Sequence, residues 1–280
     1  MLALLKTIKP SLNLAWGWAN NIDPNPLLDP RLSSIFGSSS VLGNCGAMVA
    51  KTTAVSARLL GSSPRHLTYK VRVADHTTVT TTVTAHPGVA RRWVHTTMWR
   101  NARRLRHGAG LTVGMGLQWT PPFRRRRRGG EPRPGTLQLC CGRRCLVFQI
   151  GQAAGAVPSV LRRFLDDARV AFLAYNVGSD CRKLWGHHGL KVARPQELRA
   201  VTRMGNASME RMAEEVLGWR DVKKAKRVGT SKWDGRTLSE EQMIYASIDA
   251  CISHHIGVRL GVEPDINEDT SGLWFWVGRI

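Results

Sequence analysis

"KWDGRTLSEEQMIYASIDA", residues 232–250, carries dense structural instruction. Ser239 is followed three residues later by Gln242, the spacing of a capping box, so a helix should start there. Within that helix Tyr245 and Asp249 stand at i and i+4, one turn apart on one face. Ile244, Ile248 and Ile252 form an adjoining apolar stripe that would hold this face against a sheet. An acid beside such a stripe is by itself compatible with a solvated neighbour. The surroundings must decide.

Upstream, "VAFLAYN" (170–176) is a continuous apolar run of the kind found in buried strands. "SDCRKLWGHHG" (179–189) then reads as a short helix closed by Gly189. Val157, Val160, Leu161, Phe164 and Leu165 have helical spacing, as do Met209, Met212, Ala213, Val216 and Leu217. Strand patterns occur in "YKVRVAD" (69–75), "TTVTTTVTA" (77–85), "LTVGMGLQW" (111–119), "TLQLC" (136–140) and "CLVFQI" (145–150). Between the second and third of these lies a basic, helix-like segment, residues 86–107. Strands first, then strands alternating with helices, predict an α/β domain built on a mixed sheet.

The string around Tyr245 and Asp249 resembles the third motif of the DEDDy 3′–5′ exonucleases, in their Werner-type and ribonuclease-D-like branch. Trp233, Arg236, Leu238, Gln242, Tyr245, Ala246, Asp249 and Ala250 carry the likeness. "VAFLAYNVGSDCRKL" resembles the second motif, with Asp180 at the metal-binding position, and "GTLQLCCGRRCLVFQI" resembles the hairpin after the first. The plant Werner-like members are the nearest likeness, and it covers roughly residues 67–260. It implies a ribonuclease-H-like fold, a mixed β-sheet flanked by α-helices. It also implies two Mg²⁺ or Mn²⁺ ions about 3.5–4 Å apart, held by carboxylates. Motif III would supply the metal ligand Asp249 and the water-positioning Tyr245.

The first motif of that family reads approximately V-G-L-D-x-E-W, and "VGMGLQW" (113–119) aligns with it without a gap. Gly116 takes the place of the Asp that bridges both ions, and Gln118 that of the Glu. Alternation puts both on one face of the strand. Glycine has no ligand atom, and the glutamine carbonyl is neutral. Two close dications repel each other, and only anionic ligands make the arrangement tolerable. Asp180 and Asp249 alone predict weak or partial occupancy and impaired catalysis, since single electrostatic groups are commonly worth about 10²–10³ in rate. Glu131 is the nearby acid that could compensate.

The chain has 280 residues, 42% of them apolar, with 41 Lys plus Arg against 20 Asp plus Glu, net +21. That excess attracts polyanions, nucleic acid first among them, without supplying chemistry. Arg124, Arg125, Arg126, Arg127 and Arg128 form a run that cannot pack in a core. It is either a solvated loop or a phosphate contact beside the cleft. "KKAKR" (223–227) is a second basic cluster, and either run has the composition of a nuclear import signal. Arg143, Arg144 and Lys183 read as ordinary surface charges, and Trp119, Trp185 and Trp233 as packing residues. Six cysteines show no C-x-x-C pair or zinc quartet, so buried free thiols are expected. No run of about 18 apolar residues exists, so no membrane span is expected. "NAS" at Asn206 has glycosylation spacing, but nothing else points to secretion.

Residues 1–64 read as an extension without packed structure, or as a Ser-rich, acid-poor targeting segment. Residues 65–262 form the domain and 263–280 a tail. Nucleus and/or cytoplasm is the expected location, with organellar targeting left open. The favoured function is a nucleic-acid-binding protein of exonuclease fold with weak or absent cleavage, acting on strand ends or single strands. An active metal-dependent 3′–5′ exonuclease and a non-catalytic protein–protein adaptor are the rivals.

Overall fold

The computed structural model describes residues 55–74, 77–124, 131–153 and 157–262. Arg125–Arg128, residues 1–54 and the tail from 263 lie outside the described residues. A hairpin-linked trio of strands comes first: β1 (Ser56–Ser63), β2 (His66–Ala74) and β3 (Thr77–Thr84). Two helices follow, α1 (Pro87–Arg100) and α2 (Ala102–Arg106), then β4 (Leu111–Trp119), β5 (Pro134–Cys141) and β6 (Arg144–Phe148). Strands and helices then alternate: α3 (Ser159–Leu165), β7 (Val170–Ala174), α4 (Val177–His188), β8 (Arg194–Glu197) and α5 (Leu198–Val201). α6 (Met209–Leu217), α7 (Lys226–Gly229) and the long α8 (Glu240–Arg259) complete the domain.

All eight strands join one mixed sheet in the order β1-β2-β3-β6-β5-β4-β7-β8. β3 pairs parallel with β6, β4 with β7 and β7 with β8, while the remaining pairs are antiparallel. The expected mixed-sheet α/β fold is therefore the one observed. One boundary moves. β1 lies within the segment assigned to the extension, and the sheet begins at Ser56 rather than at 65. Its residues are mostly exposed and lack alternation, because an edge strand is held by its backbone ladder rather than by an apolar face.

Helices cover both faces. Val113, Met115 and Leu117, the odd positions of β4, enter one core with Trp93 of α1, Phe164 of α3 and Leu184 of α4. The other face packs under α6 and α8, where Met212, Ile248, Ile252 and Ile256 are buried. Burying each large aliphatic side chain stabilises by about 1.5–3 kcal/mol, so α8 is anchored strongly enough to carry an acid inward with it. Its close approach depends on Gly114. A Cβ there would lie 1.9 Å from the Ala250 carbonyl oxygen.

The capping box at Ser239 is present: the Gln242 N–H donates to the Ser239 hydroxyl at 3.2 Å, and the Ser239 N–H donates to Gln242 Oε1 at 3.0 Å. Gly189 closes α4 in the left-handed region, φ 56°. The described cysteines are free thiols: Cys140, Cys145 and Cys251 are buried as expected, whereas Cys141 and Cys181 are only partly buried. Trp233 is fully buried, but Trp185 projects into solvent, against expectation, because it lies on the outward side of α4. No helix among the described residues is long and apolar enough to cross a membrane.

Candidate active site

The even positions of β4 face α8, so Gly116 and Gln118 look at the turn carrying Tyr245 and Asp249. Asp180, in the first turn of α4, closes the third side. These five residues line one cavity of about 370 Å³, together with Glu210 of α6, Lys224 from the α6–α7 connection and Lys226 at the start of α7. The structure thus brings together every residue that the sequence motifs placed at the site, except the arginine run. Arg124 ends an exposed turn just beyond β4, and Arg125–Arg128 fall outside the described residues.

The motif III loop is fixed to the end of β4 by Thr120. Its hydroxyl donates to Asp234 Oδ1 at 2.7 Å and accepts the Trp233 N–H at 2.9 Å. Gln149 reaches over from the end of β6 to the carbonyls of Gly235 and Arg236. Tyr245 packs against Trp233, ring centroids 6.0 Å apart. The position of Asp249 is therefore set by a rigid loop and a buried helix.

Both oxygens of Asp249 are engaged by nitrogen donors. Gln118 Nε2 donates to Oδ2 at 2.9 Å, and Lys224 Nζ pairs with Oδ1. Flipping the Gln118 amide would set its carbonyl against the carboxylate, so the NH₂ group must face inward. Lys224 and Asp249 are each about nine-tenths buried. Burial would pull the Lys224 pKa down, but the Asp249 carboxylate outweighs it and holds the ammonium protonated. Burial likewise pushes Asp249 up, more than Lys224 lowers it. The first shift favours the ion pair and the second weakens it. Donors on both carboxylate oxygens side with the ionised pair.

Asp180 is almost fully buried, and its pKa is raised well above the ordinary value by burial, then by the charges of Asp249 and Glu197. Tyr245 is raised by burial and by Asp249. A Cβ on Gly116 would lie 2.9 Å from Gln138 Oε1 and 3.7 Å from Asp249 Cβ. The space beside Gly116 is thus held by the end of a flexible side chain.

Two sequence readings need correction. Lys183 is buried, not a surface charge: its ammonium sits 4.8 Å from the Trp119 ring centroid and pairs with Glu131 at 2.6 Å. Glu131 is consequently occupied, and it does not line the cleft. Arg144 is half-buried, donating to Thr97 Oγ1 at 3.2 Å and stacking 5.4 Å from the Trp93 centroid. Sequence reasoning missed Lys224 and Glu210. No local pattern marks the lysine, because Lys223, Lys226 and Arg227 of the same run stay exposed.

Residues 133–263 match the family model described as 3′–5′ exonuclease. That stretch is similar to the 3′–5′ exonuclease family. The match contains Asp180, Tyr245 and Asp249 and begins beyond β4, so it includes neither Gly116 nor Gln118. Among curated relatives, a 3′–5′ exonuclease of Arabidopsis thaliana is 26% identical over 158 residues, covering 55% of this chain and 54% of the relative. The human exonuclease mut-7 homolog is 27% identical over 200 residues, 57% of this chain and 21% of the relative. The mouse bifunctional 3′–5′ exonuclease/ATP-dependent helicase WRN is 26% identical over 163 residues, 56% of this chain and 11% of the relative. The chain spans about half the length of these relatives or less. Two solved structures share the fold. The catalytic core of RRP6 from Trypanosoma brucei has a TM-score of 0.53 at 12% identity, covering 65% of this chain and 46% of the other. Escherichia coli RNase D has 0.50 at 18%, covering 65% and 44%.

An exonuclease of this family would hold its cations between the strand and helix carboxylates, and the donor set here does not fit a pair of them. Gly116 offers nothing, Gln118 presents N–H groups, and Lys224 already neutralises Asp249. Among the described residues no three His, Cys, Asp or Glu side chains form a group able to hold a metal ion. A dication at Asp249 would first have to displace an ammonium.

Proposed function

We infer that this exonuclease-family domain binds nucleic acid through its basic surface and cleaves it weakly or not at all. The observation that carries the reading is Asp249, whose two oxygens are taken by Lys224 and Gln118 beside a glycine at the bridging position. The net charge of +21 supplies the attraction to a polyanion. The cleft supplies shape and polar donors without the anionic ligands that two close dications require. Lys224 does internally what a cation would do for Asp249, which makes the site stable without one.

The test is to give the ligands back. Gly116→Asp with Gln118→Glu should create saturable Mn²⁺ binding by calorimetry, and adding Lys224→Ala should tighten it. Gly116 has room for this change once Gln138 swings aside. Metal-dependent trimming of a 3′ end should rise at least about 10²-fold over the natural protein, and Asp249→Ala on top should abolish the gain. A natural protein that takes two Mn²⁺ ions and trims as fast as the variant would overturn the inference.

A further inference from the structure

Helix α1 turns a basic and aromatic ridge to solvent. Arg91, His95 and Trp99 stand at i, i+4 and i+8, with Arg92 beside them, and Trp99 is 69% exposed. The opposite face, with Val89, Trp93, Val94 and Thr97, is buried against the sheet, so the ridge cannot rotate inward. At its C-terminal end the ridge opens into a second cavity of about 430 Å³, between α1–α2 and the β5–β6 turn. Arg100, Arg104, Arg143 and Arg144 line it, and no acidic side chain does. Residues 77–130, which carry α1, α2 and β4, contain neither Asp nor Glu. Among the described residues Arg100 and Arg143 carry no ion pair.

The floor of this cavity is built rather than incidental. His254 of α8 accepts the Gly142 N–H at 2.9 Å through Nε2 and reaches the Thr112 carbonyl at 3.1 Å through Nδ1. It thereby holds the β5–β6 turn, and with it Arg143, against the start of β4. Arg144 is fixed by Thr97 and Trp93. Like charges held this close repel one another, an arrangement that an anion relieves.

We propose that the α1 ridge and the arginine cavity form a second docking surface for a nucleic-acid strand, phosphates lying on the arginines and a base stacking on Trp99. An acidic peptide would satisfy the arginines but leave an exposed indole in their midst unexplained. A nucleotide chain supplies both a charge and a π-face at each step. The ridge from Arg91 to Arg100 is about 14 Å long at 1.5 Å per residue. Along β4, Thr112 at this cavity and Gln118 at the cleft are about 20 Å apart at 3.3 Å per residue. At about 3.4 Å per stacked nucleotide, contact with both therefore needs at least about six nucleotides. The proposal rests on the nucleic-acid reading of the domain given above.

Fluorescence anisotropy with labelled 4- and 20-nucleotide thymidylate and uridylate strands, at several salt concentrations, tests it on the full chain. The natural protein should bind the 20-mers more tightly than the 4-mers. Trp99→Ala should weaken 20-mer binding by about 5- to 150-fold, the range for losing one stacked base. Arg100→Ser with Arg143→Ser should lower the slope of log K against log[salt] by about 1.4, two phosphates at about 0.7 each. All three side chains are exposed at the surface, and a thermal melt confirms that the variants fold. If the natural protein binds strands and these variants bind equally well, the second surface is wrong while the nucleic-acid reading stands. If the natural protein binds no strand at all, both fall. Tighter binding of polyglutamate than of either 20-mer would overturn the surface in favour of an acidic protein partner.

Discussion

The two ends of β4 treat positive charge in opposite ways. At the cleft end a lysine is drawn inward, buried, and neutralised by Asp249 within a network that includes Gln118. At the other end Arg100 and Arg143 face outward with no ion pair among the described residues, and the imidazole beneath them, His254, is kept neutral. Charge satisfied internally is costly to break from one side and offers little to a ligand. Charge left facing water offers a ligand much and the fold little. In this molecule the cleft between β4 and α8 is the satisfied end.

The comparison breaks first at Lys224. If its charge is structural, Lys224→Met should destabilise by about 3–5 kcal/mol, because it leaves Asp249 buried and unpaired. Lys224→Met with Asp249→Leu should recover most of the loss, since replacing both members of a buried pair by apolar groups is often neutral. Urea melts of the single and double variants measure this. Equal losses in both would mean that Lys224 matters for packing alone.

His254 gives the next largest effect, and it tests the opposite end. Burial first, then His255, depresses its pKa to about 4 from an ordinary 6.5. The unfolded chain therefore takes up a proton that the folded chain refuses. Stability from this group is complete above pH 6.5 and is lost as pH falls towards 4, by about 3 kcal/mol over the full range. His255 is shifted the other way, so the comparison must be between the natural protein and His254→Gln. The variant should lose less stability than the natural protein between pH 7 and 4.5. Parallel pH profiles would mean that His254 protonates freely in the fold.

Two glycines on one strand sharpen the same contrast. Gly114→Ala sets a Cβ 1.9 Å from a helix backbone oxygen, which only a shift of α8 can relieve. It should cost near the upper end of the about 1–3 kcal/mol typical of overpacking. Gly116→Ala meets first the movable end of Gln138 and should cost less than about 1 kcal/mol. Thermal melts that reverse this order would show that Gly116, not Gly114, is held for packing.

Much of this was legible in the sequence because it is local. The capping box, the Tyr245–Asp249 turn, the strand before Asp180 and the neutral pair Gly116 and Gln118 each lie within a few neighbouring residues. Lys224 was not legible, because it stands among Lys223, Lys226 and Arg227, which remain at the surface. Its partner is 25 positions away, and only the fold decides which cation of a run turns inward. Lys183 misled for the same reason, since its burial depends on Trp119 and Glu131 from other elements. β1 was missed because an edge strand has little pattern to show. Arg100 and Arg143 are 43 positions apart and meet only when the β5–β6 turn folds over α1.

The smallest expected effect in stability concerns Arg124–Arg128, and it decides which end of β4 does the binding. Arg124 is exposed on a turn beyond the cleft, so five serines should leave stability within about ±0.5 kcal/mol of the natural protein. The salt dependence is where the run would show itself. Each phosphate that a single strand no longer pairs with an arginine removes about 0.7 from the slope of log K against log[salt], so full engagement would lower it by about 3.5. The Arg100 and Arg143 changes predict about 1.4 from the other end, and the two sets act on different phosphates. If both surfaces hold one strand, the combined variant should lose the sum on a 20-mer, whereas a 4-mer too short to bridge them should respond to each change separately. An unchanged slope for the five-serine variant would make that run a solvated loop and leave the α1 end as the binding surface.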